Sequence, residues 1–403
     1  MKSGRIWIIV SILVVVAMMA AACQPATQQA ASGPITFGML LVGPYNDHGW
    51  SEATYNGALY AQQQIADSEF VYLDNVNTSS RPGTTPEQLA EDLLTRGSQV
   101  VIFNSDDMID GAHTFAVTHP EVTVLHLSGD GAWADGENFQ DLPNLVNVMG
   151  QMEYGKMIAG CAAALTTQTG QIGYLGPLIN AETRRLASSA YLGARYCWTE
   201  YLGNDPADLQ FRVNWIGFWF NIPGFTQDPT QVADEFYNTG FDVVISGIDT
   251  TEALVEADRL TQAGTPVFAL AYDYVDACAQ APSVCLGVPY FNWGPAITTV
   301  LEDVQAGTIE SSWSWFSPDW TDINNPDTSI VGFEKGPALS DSASVQIDQF
   351  IAELAGGLNL WSGPLNLQDG TVYLADGEAA TQQQIWYLPQ LLEGMEGASV
   401  PTE

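Results

Sequence analysis

The chain has 403 residues, and its 47 Asp and Glu against 11 Lys and Arg give a formal net charge of −36. Such a charge repels nucleic acid and anionic membrane surfaces, and it disfavours a phosphorylated ligand. A hydrophobic content of 46% supplies enough apolar material for a core, and the length favours two lobes over one.

Residues 1–22 have the pattern of an export signal. Lys2 and Arg5 precede an apolar run that ends in small residues just before Cys23. The run Met19-Ala-Ala-Ala-Cys23 resembles the lipobox of bacterial lipoproteins, with alanine in place of the usual leucine. We therefore expect lipidation of Cys23 and anchoring at the extracytoplasmic face of the cell membrane. An uncleaved transmembrane anchor is the alternative, although the run is slightly short for it.

Residues 23–34 form a polar, small-residue tether, and the folded chain begins after them. Strand-like apolar runs then alternate with helix-like patterns. We predict strands at Ile35–Val42, Phe70–Asn75, Val100–Asn104, Val122–Leu127 and Leu145–Met149, with helices at Trp50–Ala66, Pro86–Arg96 and Gly111–His119. This alternation indicates βαβ units and a parallel sheet.

A small-residue helix at Glu153–Thr167 precedes a second series of the same kind. Its predicted strands are Gln171–Leu175, Phe211–Trp219, Val243–Gly247, Pro266–Ala271 and Val284–Pro289, and its helices are Glu182–Leu202, Thr230–Asn238, Thr251–Ala263 and Pro295–Ala306. The remainder, from Trp313 to Tyr387, mixes strands with one helix at Ser342–Ala355 and a hairpin near residues 368–371.

We therefore predict an α/β protein with two doubly wound parallel-sheet lobes joined by hinges. Lobe 1 would comprise residues 35–148 and 290–310, lobe 2 residues 149–289 and 311–390, and residues 391–403 would form a C-terminal tail. The hinges are expected near Met149 and Pro289, where each series of βα units ends. Two such lobes fit a clamshell that closes on a small molecule.

Four cysteines remain besides Cys23, an even number that suits disulfide bonds in an oxidising compartment. Cys161, Cys197, Cys278 and Cys285 allow three pairings, and the short loop from Cys278 to Cys285 is the simplest to close. No CxxC or HxxxH pair occurs, so a metal site is not expected.

The polar loop at residues 43–57, between the first strand and the first helix, is a candidate ligand site. In parallel sheets, ligands bind at the carboxyl ends of the strands, near helix N-termini. Asn46 and Asp47 lie in this loop, and Trp50 begins the helix with a flat ring suited to a planar ligand. Ordinary helix capping by Asp47 and a core position for Trp50 are the alternative.

Three further strands end near a carboxylate, supplied by Asp106, Asp249 and Asp273. A single Asp at such a position is more often a helix cap, but several at the mouth of one cleft indicate a site. Carboxylates accept hydrogen bonds from hydroxyl and ring N–H groups, so a neutral ligand rich in donors is expected.

Aromatic residues supply the second half of the predicted site. Trp219 ends the predicted strand Phe211–Trp219, at a place comparable to that of Trp50 in the other lobe. Trp215 and Phe220 compete with it for this role. Trp293 follows another predicted strand and is a further candidate, although aromatics near strands more often belong to the core.

Five segments resemble the basic membrane protein family, also called the purine-nucleoside-binding lipoproteins, of ABC-transporter substrate-binding proteins. These segments are Gly43–Trp50, Tyr154–Gly160, Ile172–Tyr174, Leu192–Arg195 and Tyr290–Pro295. The resemblance implies the two-lobed type I periplasmic-binding-protein fold. It also implies a small-molecule ligand, a purine nucleoside or base, and delivery of that ligand to a transporter permease.

Carried over by position, the resemblance implies that Trp50 and Trp219 hold the purine between them. Asn46 and Asp47 match the first polar loop of the family, and Asp273 matches the carboxylate that meets the ribose. No counterpart of the lysine that some members place in the site is evident, so a free base and a nucleoside both remain open.

Two other functions are compatible with parts of the sequence. A nucleoside or glycoside hydrolase could use the converging carboxylates, but no nucleophile elbow, Walker loop, dinucleotide fingerprint or zinc motif is present. A binding protein for a sugar or an autoinducer is the other, because sugars also stack on tryptophan. We expect a monomeric binding protein without catalytic residues or cofactor.

Overall fold

The computed structural model describes residues 34–401, so the predicted signal peptide, Cys23 and the tether up to residue 33 lie outside the described residues. Two parallel sheets form the centres of the two lobes. The first sheet has the strand order β2 (Ser68–Leu73), β1 (Ile35–Leu40), β3 (Val100–Phe103), β4 (Thr123–Leu127), β5 (Leu145–Gly150) and β11 (Ser312–Phe316). Strands β3 and β4 are buried throughout, as expected for continuous apolar runs covered on both faces.

The second sheet is also entirely parallel. Its order is β15 (Met395–Glu396), β7 (Gln210–Trp215), β6 (Gln171–Gly176), β8 (Val243–Ser246) and β9 (Phe268–Leu270). Two small antiparallel pairs accompany the sheets, β10 (Gly287–Phe291) with β12 (Val331–Lys335) and β13 (Leu365–Asn366) with β14 (Val372–Leu374). The predicted fold class is confirmed.

Ten α-helices occur within residues 34–401. They are α1 (Trp50–Gln64), α2 (Pro86–Thr95), α3 (Ile109–Thr118), α4 (Met152–Thr166), α5 (Ala181–Tyr196), α6 (Pro229–Asn238), α7 (Glu252–Gln262), α8 (Gly294–Ala306), α9 (Asp341–Ala355) and α10 (Gln382–Trp386). None of the helices in this described range is long and apolar enough to cross a membrane.

The structure differs from the predicted boundaries in several places. Strand β7 ends at Trp215, because Gly217 adopts a positive φ of 104° and turns the chain, so Trp219 lies in the following loop. Strand β11 follows α8 but pairs with β5, so it belongs to the first sheet although it was expected in lobe 2. The expected tail contains β15, which extends the second sheet.

The chain passes between the lobes three times. The crossings follow β5, β10 and β11, since α8 packs on α1 of the first lobe and α9 packs on α4 of the second. Closely spaced crossings of this kind allow two lobes to move as bodies around a shared cleft. The first two lie near Met149 and Pro289, where hinges were expected.

Helices α4 and α5 approach each other closely because small residues line their contact. A Cβ atom added at Gly160 would overlap the carbonyl group of Ala190, and one added at Gly193 would overlap that of Met157. A disulfide bond joins Cys161 of α4 to Cys197, the residue that follows α5. A second bond joins Cys278 to Cys285, so the structure selects one of the three possible pairings.

Replacement of Gly160 by alanine tests this helix contact. We expect Gly160→Ala to lower the free energy of unfolding by about 1–3 kcal/mol or more, since the added methyl group has no room beside the Ala190 carbonyl. Thermal denaturation measures the effect. Gly356→Ala, where the nearest atoms to an added Cβ are 3.3 Å away, is the control. Equal melting temperatures for both variants would contradict the close packing.

Candidate functional site

A cavity with about 440 Å³ of empty space, part of it open to solvent, lies between the two lobes. We call it the ligand cavity. The first lobe contributes residues that follow β1, β3 and β4, and the second contributes residues around β6, β7, β8 and β9. Its lining residues are Trp50, Ser105, Asp106, Ser128, Tyr174, Pro177, Glu182, Thr183, Leu186, Trp219, Gly247, Asp249, Tyr272 and Asp273.

Trp50, the first residue of α1, is a core residue that also lines the ligand cavity. It is only 7% exposed, and its ring makes edge-to-face contacts with Phe291 and Trp293. Its Nε1 atom donates a hydrogen bond to the carbonyl oxygen of Asn104, at the end of β3. These contacts fix the ring orientation, while the side chain also lines the ligand cavity.

Asp47 acts as the cap of α1. Its carboxylate accepts hydrogen bonds from the backbone N–H groups of Gly49 (2.9 Å), Ser51 (3.0 Å) and Glu52 (2.9 Å), which would otherwise lack partners. Burial nevertheless raises its pKa to about 6. Neither Asp47 nor the exposed Asn46 lines the ligand cavity, so the structure does not place these two predicted residues in the cavity wall.

Among the three aromatic candidates near the end of β7, only Trp219 lines the ligand cavity. Trp215 instead donates a hydrogen bond of 2.8 Å to Ala398, at the edge of the second sheet. Trp219 is half-buried and packs against the core of the first lobe, and its Nε1 atom has no hydrogen-bond partner among the described residues. The carbonyl oxygen of Trp219 accepts a hydrogen bond of 2.9 Å from Asp249.

Trp293 has a different place from the one predicted. It is fully buried and does not line the ligand cavity. Its ring stacks on Phe291, with centroids 4.7 Å apart and planes at 12°, and meets the edge of Trp50. Trp293 therefore packs against the ring of Trp50 on the side away from the ligand cavity. It can do so because the chain re-enters the first lobe after β10.

Asp249 and Asp273 line the inner part of the cavity, as expected for carboxylates after β8 and β9. Both are buried, and desolvation raises the pKa of each well above its usual value. Asp273 adopts a positive φ of 69°, a conformation that Asp tolerates better than most residues. No partner satisfies hydrogen-bond geometry with its carboxylate oxygens among the described residues.

No counterpart of a site lysine was evident from the sequence, yet the charge of Lys156, on α4, acts on this carboxylate. It is fully buried; its Nζ atom donates to the carbonyl oxygen of Ser246 (2.8 Å) and lies 3.0 Å from the centre of the Tyr272 ring. Burial lowers its pKa well below the usual value, and Asp273 opposes that shift. The sequence signal that could have identified Lys156 as a site residue is its position as a single lysine inside an apolar, small-residue helix.

Glu182, near the start of α5, also lines the cavity and was not predicted. Burial raises its pKa to about 7, and Arg185 opposes that shift. Asp106 was predicted and does line the cavity, and burial raises its pKa to about 6. Glu182 is the first residue of a predicted helix, where an acidic side chain is ordinary because it interacts favourably with the helix dipole, so its residue type did not distinguish it.

The two lobes touch across the ligand cavity. Ser128 donates a hydrogen bond of 3.2 Å to Glu182, and Asn180 donates one of 3.2 Å to Asp106. At the opposite side, Gly49 faces the backbone of Asp249 so closely that a Cβ atom would overlap its carbonyl group. Glycine is required there because only a residue without a side chain permits this approach. The structure is therefore a closed arrangement of the lobes.

Residues 35–203 match the model of the Bmp family, described as ABC transporter substrate-binding protein PnrA-like, which confirms the resemblance found in the sequence. A Haloferax volcanii protein proposed to be an ABC transporter glucose-binding protein, TsgA13, is 21% identical over 326 residues, 80% of this chain and 73% of that protein.

Solved structures of two solute-binding proteins of ABC transporter systems share the fold. The one from Aeropyrum pernix has a TM-score of 0.63 at 13% identity, covering 83% of this chain and 93% of its own. The one from Conexibacter woesei has a TM-score of 0.57 at 14% identity, covering 80% and 97%. The type I periplasmic-binding-protein arrangement is thereby confirmed.

Raised carboxyl pKa values make stability depend on pH. The pKa of Glu182 rises from 4.5 to about 7 on folding, so between these values the folded state binds more protons than the unfolded state. We therefore expect the free energy of unfolding of the ligand-free protein to increase as pH falls from about 8 to about 5. Melting temperatures measured across this range test the sign.

The variant Glu182→Gln removes this titration and should flatten the pH dependence, whereas Glu302→Gln, on the exposed side of α8, should not. Self-repulsion of the acidic chain acts on both variants alike, which makes the pair a matched comparison. Identical pH profiles for the two variants would show that Glu182 is not the group responsible.

Proposed function

We propose that this ABC transporter solute-binding protein of the Bmp family captures a purine nucleoside or purine base between its lobes and delivers it to a membrane permease. The observation that carries this proposal is the presence of Trp50 and Trp219, one from each lobe, in the wall of a single cavity with buried carboxylates. The family is one of substrate-binding proteins, so the carboxylates are read as hydrogen-bonding groups, not as catalysts.

Aromatic rings favour a flat ligand. Trp50 is held by Phe291, Trp293 and the carbonyl of Asn104, so it presents a preformed surface and loses little freedom on binding. Trp219 reaches the cavity from a loop of the other lobe and would complete the second side. Stacking of a base on an aromatic ring contributes ~1–3 kcal/mol.

Buried carboxyl groups favour a neutral ligand with many donors. Asp106, Glu182, Asp249 and Asp273 line the cavity, and desolvation raises the pKa of all four. In the protonated form each also offers an O–H donor, and the ring nitrogens of a purine can accept from it. An anionic ligand would be disfavoured, because Lys156 lies beneath Tyr272 and Arg185, 4.0 Å from Glu182, already pairs with Glu153.

Anchoring by a lipid on Cys23 is part of the same proposal. Substrate-binding proteins of ABC transporters work outside the cytoplasm, and the polar tether at residues 24–33 would let a lipid-anchored protein reach its permease. The protein is then a monomer attached to the membrane only through that lipid.

A sugar is the second candidate ligand. The Haloferax volcanii relative is proposed to bind glucose. Buried carboxylates accept hydrogen bonds from sugar hydroxyls, and tryptophan rings pack on the apolar face of a hexose. Measuring the affinities of purines and of sugars for the same variants therefore shows which of the two ligand classes the protein binds.

Loss of one ring gives the sharpest test. We expect Trp219→Ala to weaken adenosine binding by roughly ten- to a hundredfold, which corresponds to one lost stacking contact. Because Trp219 is half-buried in a loop, the melting temperature of the ligand-free variant should change little. Isothermal titration calorimetry with adenosine, inosine, guanosine and adenine measures the affinities.

Trp215→Ala is the matched control, since Trp215 lies only four residues away and faces away from the cavity. It should lower stability and leave affinity for the purines unchanged. If the Trp219 and Trp215 variants bind adenosine as tightly as the wild type, the stacking role is refuted. If no purine binds the wild type and glucose does, the purine proposal gives way to the sugar.

Cell fractionation tests the anchor. We expect Cys23→Ser to release the protein from membranes, because the acceptor of the lipid is lost. Full membrane retention of the variant would instead identify the apolar run at residues 6–22 as a transmembrane anchor.

A further inference from the structure

A short segment near the C-terminus, residues 381–388, joins the cores of the two lobes. We call it the latch segment. Trp386 and Tyr387 pack with the core of the first lobe, whereas Leu388, the next residue, is fully buried in the core of the second. The segment contains α10 and lies outside residues 35–203, which match the family model. It therefore links the lobes in addition to the crossings of the chain after β5, β10 and β11.

The second lobe holds both ends of the latch segment. Arg184 of α5 donates a hydrogen bond of 2.8 Å to the carbonyl oxygen of Leu388. The hydroxyl of Tyr373, on β14, donates to the carbonyl oxygen of Gln384. Because Leu388 is also part of the core of this lobe, the segment moves with the second lobe when the lobes separate.

The first lobe surrounds the rings of the latch segment with its own aromatic residues. Trp386 is only 5% exposed and meets Trp313 and Trp315 of β11 edge to face, with ring centres 5.3 Å and 5.2 Å apart. Tyr387 stacks on Trp133, with ring centres 5.8 Å apart and planes at 6°. Aromatic pairs with these geometries contribute more than the burial of their area alone, so they favour contact between the lobes.

Three hydrogen bonds strengthen the same contact. The hydroxyl of Tyr387 donates to the carboxylate of Asp130 and accepts from the backbone N–H of Glu137 (2.7 Å). The side-chain amide of Gln383 donates to the carbonyl oxygen of Asp135. All three partners lie between β4 and β5 of the first lobe. Asp130 is buried, so the loss of a donor to its carboxylate is costly.

We propose that the latch segment holds the two lobes closed when no ligand is bound. It is attached to both cores, so the lobes separate on this side only if Trp386, Tyr387 and Gln383 lose their contacts with the first lobe. Closure is then a property of the chain itself, and it does not depend on the chemical class of the ligand. A closed arrangement that is already populated raises the apparent affinity of any ligand that binds it.

Small-angle X-ray scattering of the ligand-free protein tests this proposal. The protein is dialysed extensively, and native mass spectrometry verifies that no small molecule remains bound. We expect the wild type to have the radius of gyration calculated from the closed structure, and Gln383→Ala/Tyr387→Phe to have a larger one. This double variant loses the three hydrogen bonds to the first lobe, so the ratio of open to closed molecules should rise by roughly tenfold or more.

Tyr196→Phe is the matched control. The hydroxyl of Tyr196 also donates to a carboxylate, that of Glu353 (2.8 Å), but both residues belong to the second lobe. This variant should keep the radius of gyration of the wild type. The double variant retains the ring of residue 387, and Gln383 is exposed, so the double variant should fold normally, which circular dichroism verifies.

A radius of gyration of the double variant equal to that of the wild type would overturn the latch, whether the wild type is closed or open. An equal increase in Tyr196→Phe would also overturn it, because the second lobe would then be loosened in general. No ligand is added in this experiment. Failure of purines or sugars to bind in calorimetry would therefore remove the proposed function without affecting the latch.

Discussion

Desolvation of carboxyl groups between the lobes is the constraint on which the site depends. Asp249 and Asp273 are buried at the ends of neighbouring strands, and the charge of the buried Lys156 opposes the rise in the pKa of Asp273. Unpaired charges in such a place cost several kcal/mol each, so these groups bind protons more readily than usual. A ligand that brings donors would replace the lost water and favour the closed lobes, because it has more contacts there than in an open cleft.

Backbone geometry makes this closed cavity possible. Parallel strands deliver their following loops to one edge of each sheet, and two such edges face each other. Gly49 then lets the N-terminus of α1 touch the loop that carries Asp249. Behind it, Phe291 and Trp293 hold Trp50 in place, so the first-lobe side of the cavity is rigid. On the second-lobe side, Trp219 lies in a loop. We therefore expect this side of the cavity to adapt more readily to a ligand.

The sequence predicted the sheets better than the site. Strands of the first sheet are apolar runs between clear turn signals, and their positions agree with the structure to within a few residues. Strand β11 was assigned to the wrong lobe because pairing with β5 is a tertiary contact that no local pattern records. Asp47 and Trp293 carry residue types of a binding site, yet one caps a helix and the other belongs to the core. Lys156 sits within a helical pattern, where spacing cannot tell which face meets a cavity. Glu182 begins such a pattern, where an acidic residue is ordinary.

Identification of the small molecule that accompanies the protein shows which class of ligand the cavity binds. Native mass spectrometry of the full chain purified without added ligand, followed by release and identification of the bound compound, requires no assumption about its class. We expect a neutral molecule that contains a flat ring and several hydrogen-bond donors, a purine nucleoside above all. A phosphorylated or otherwise anionic compound bound at one per chain would contradict this expectation.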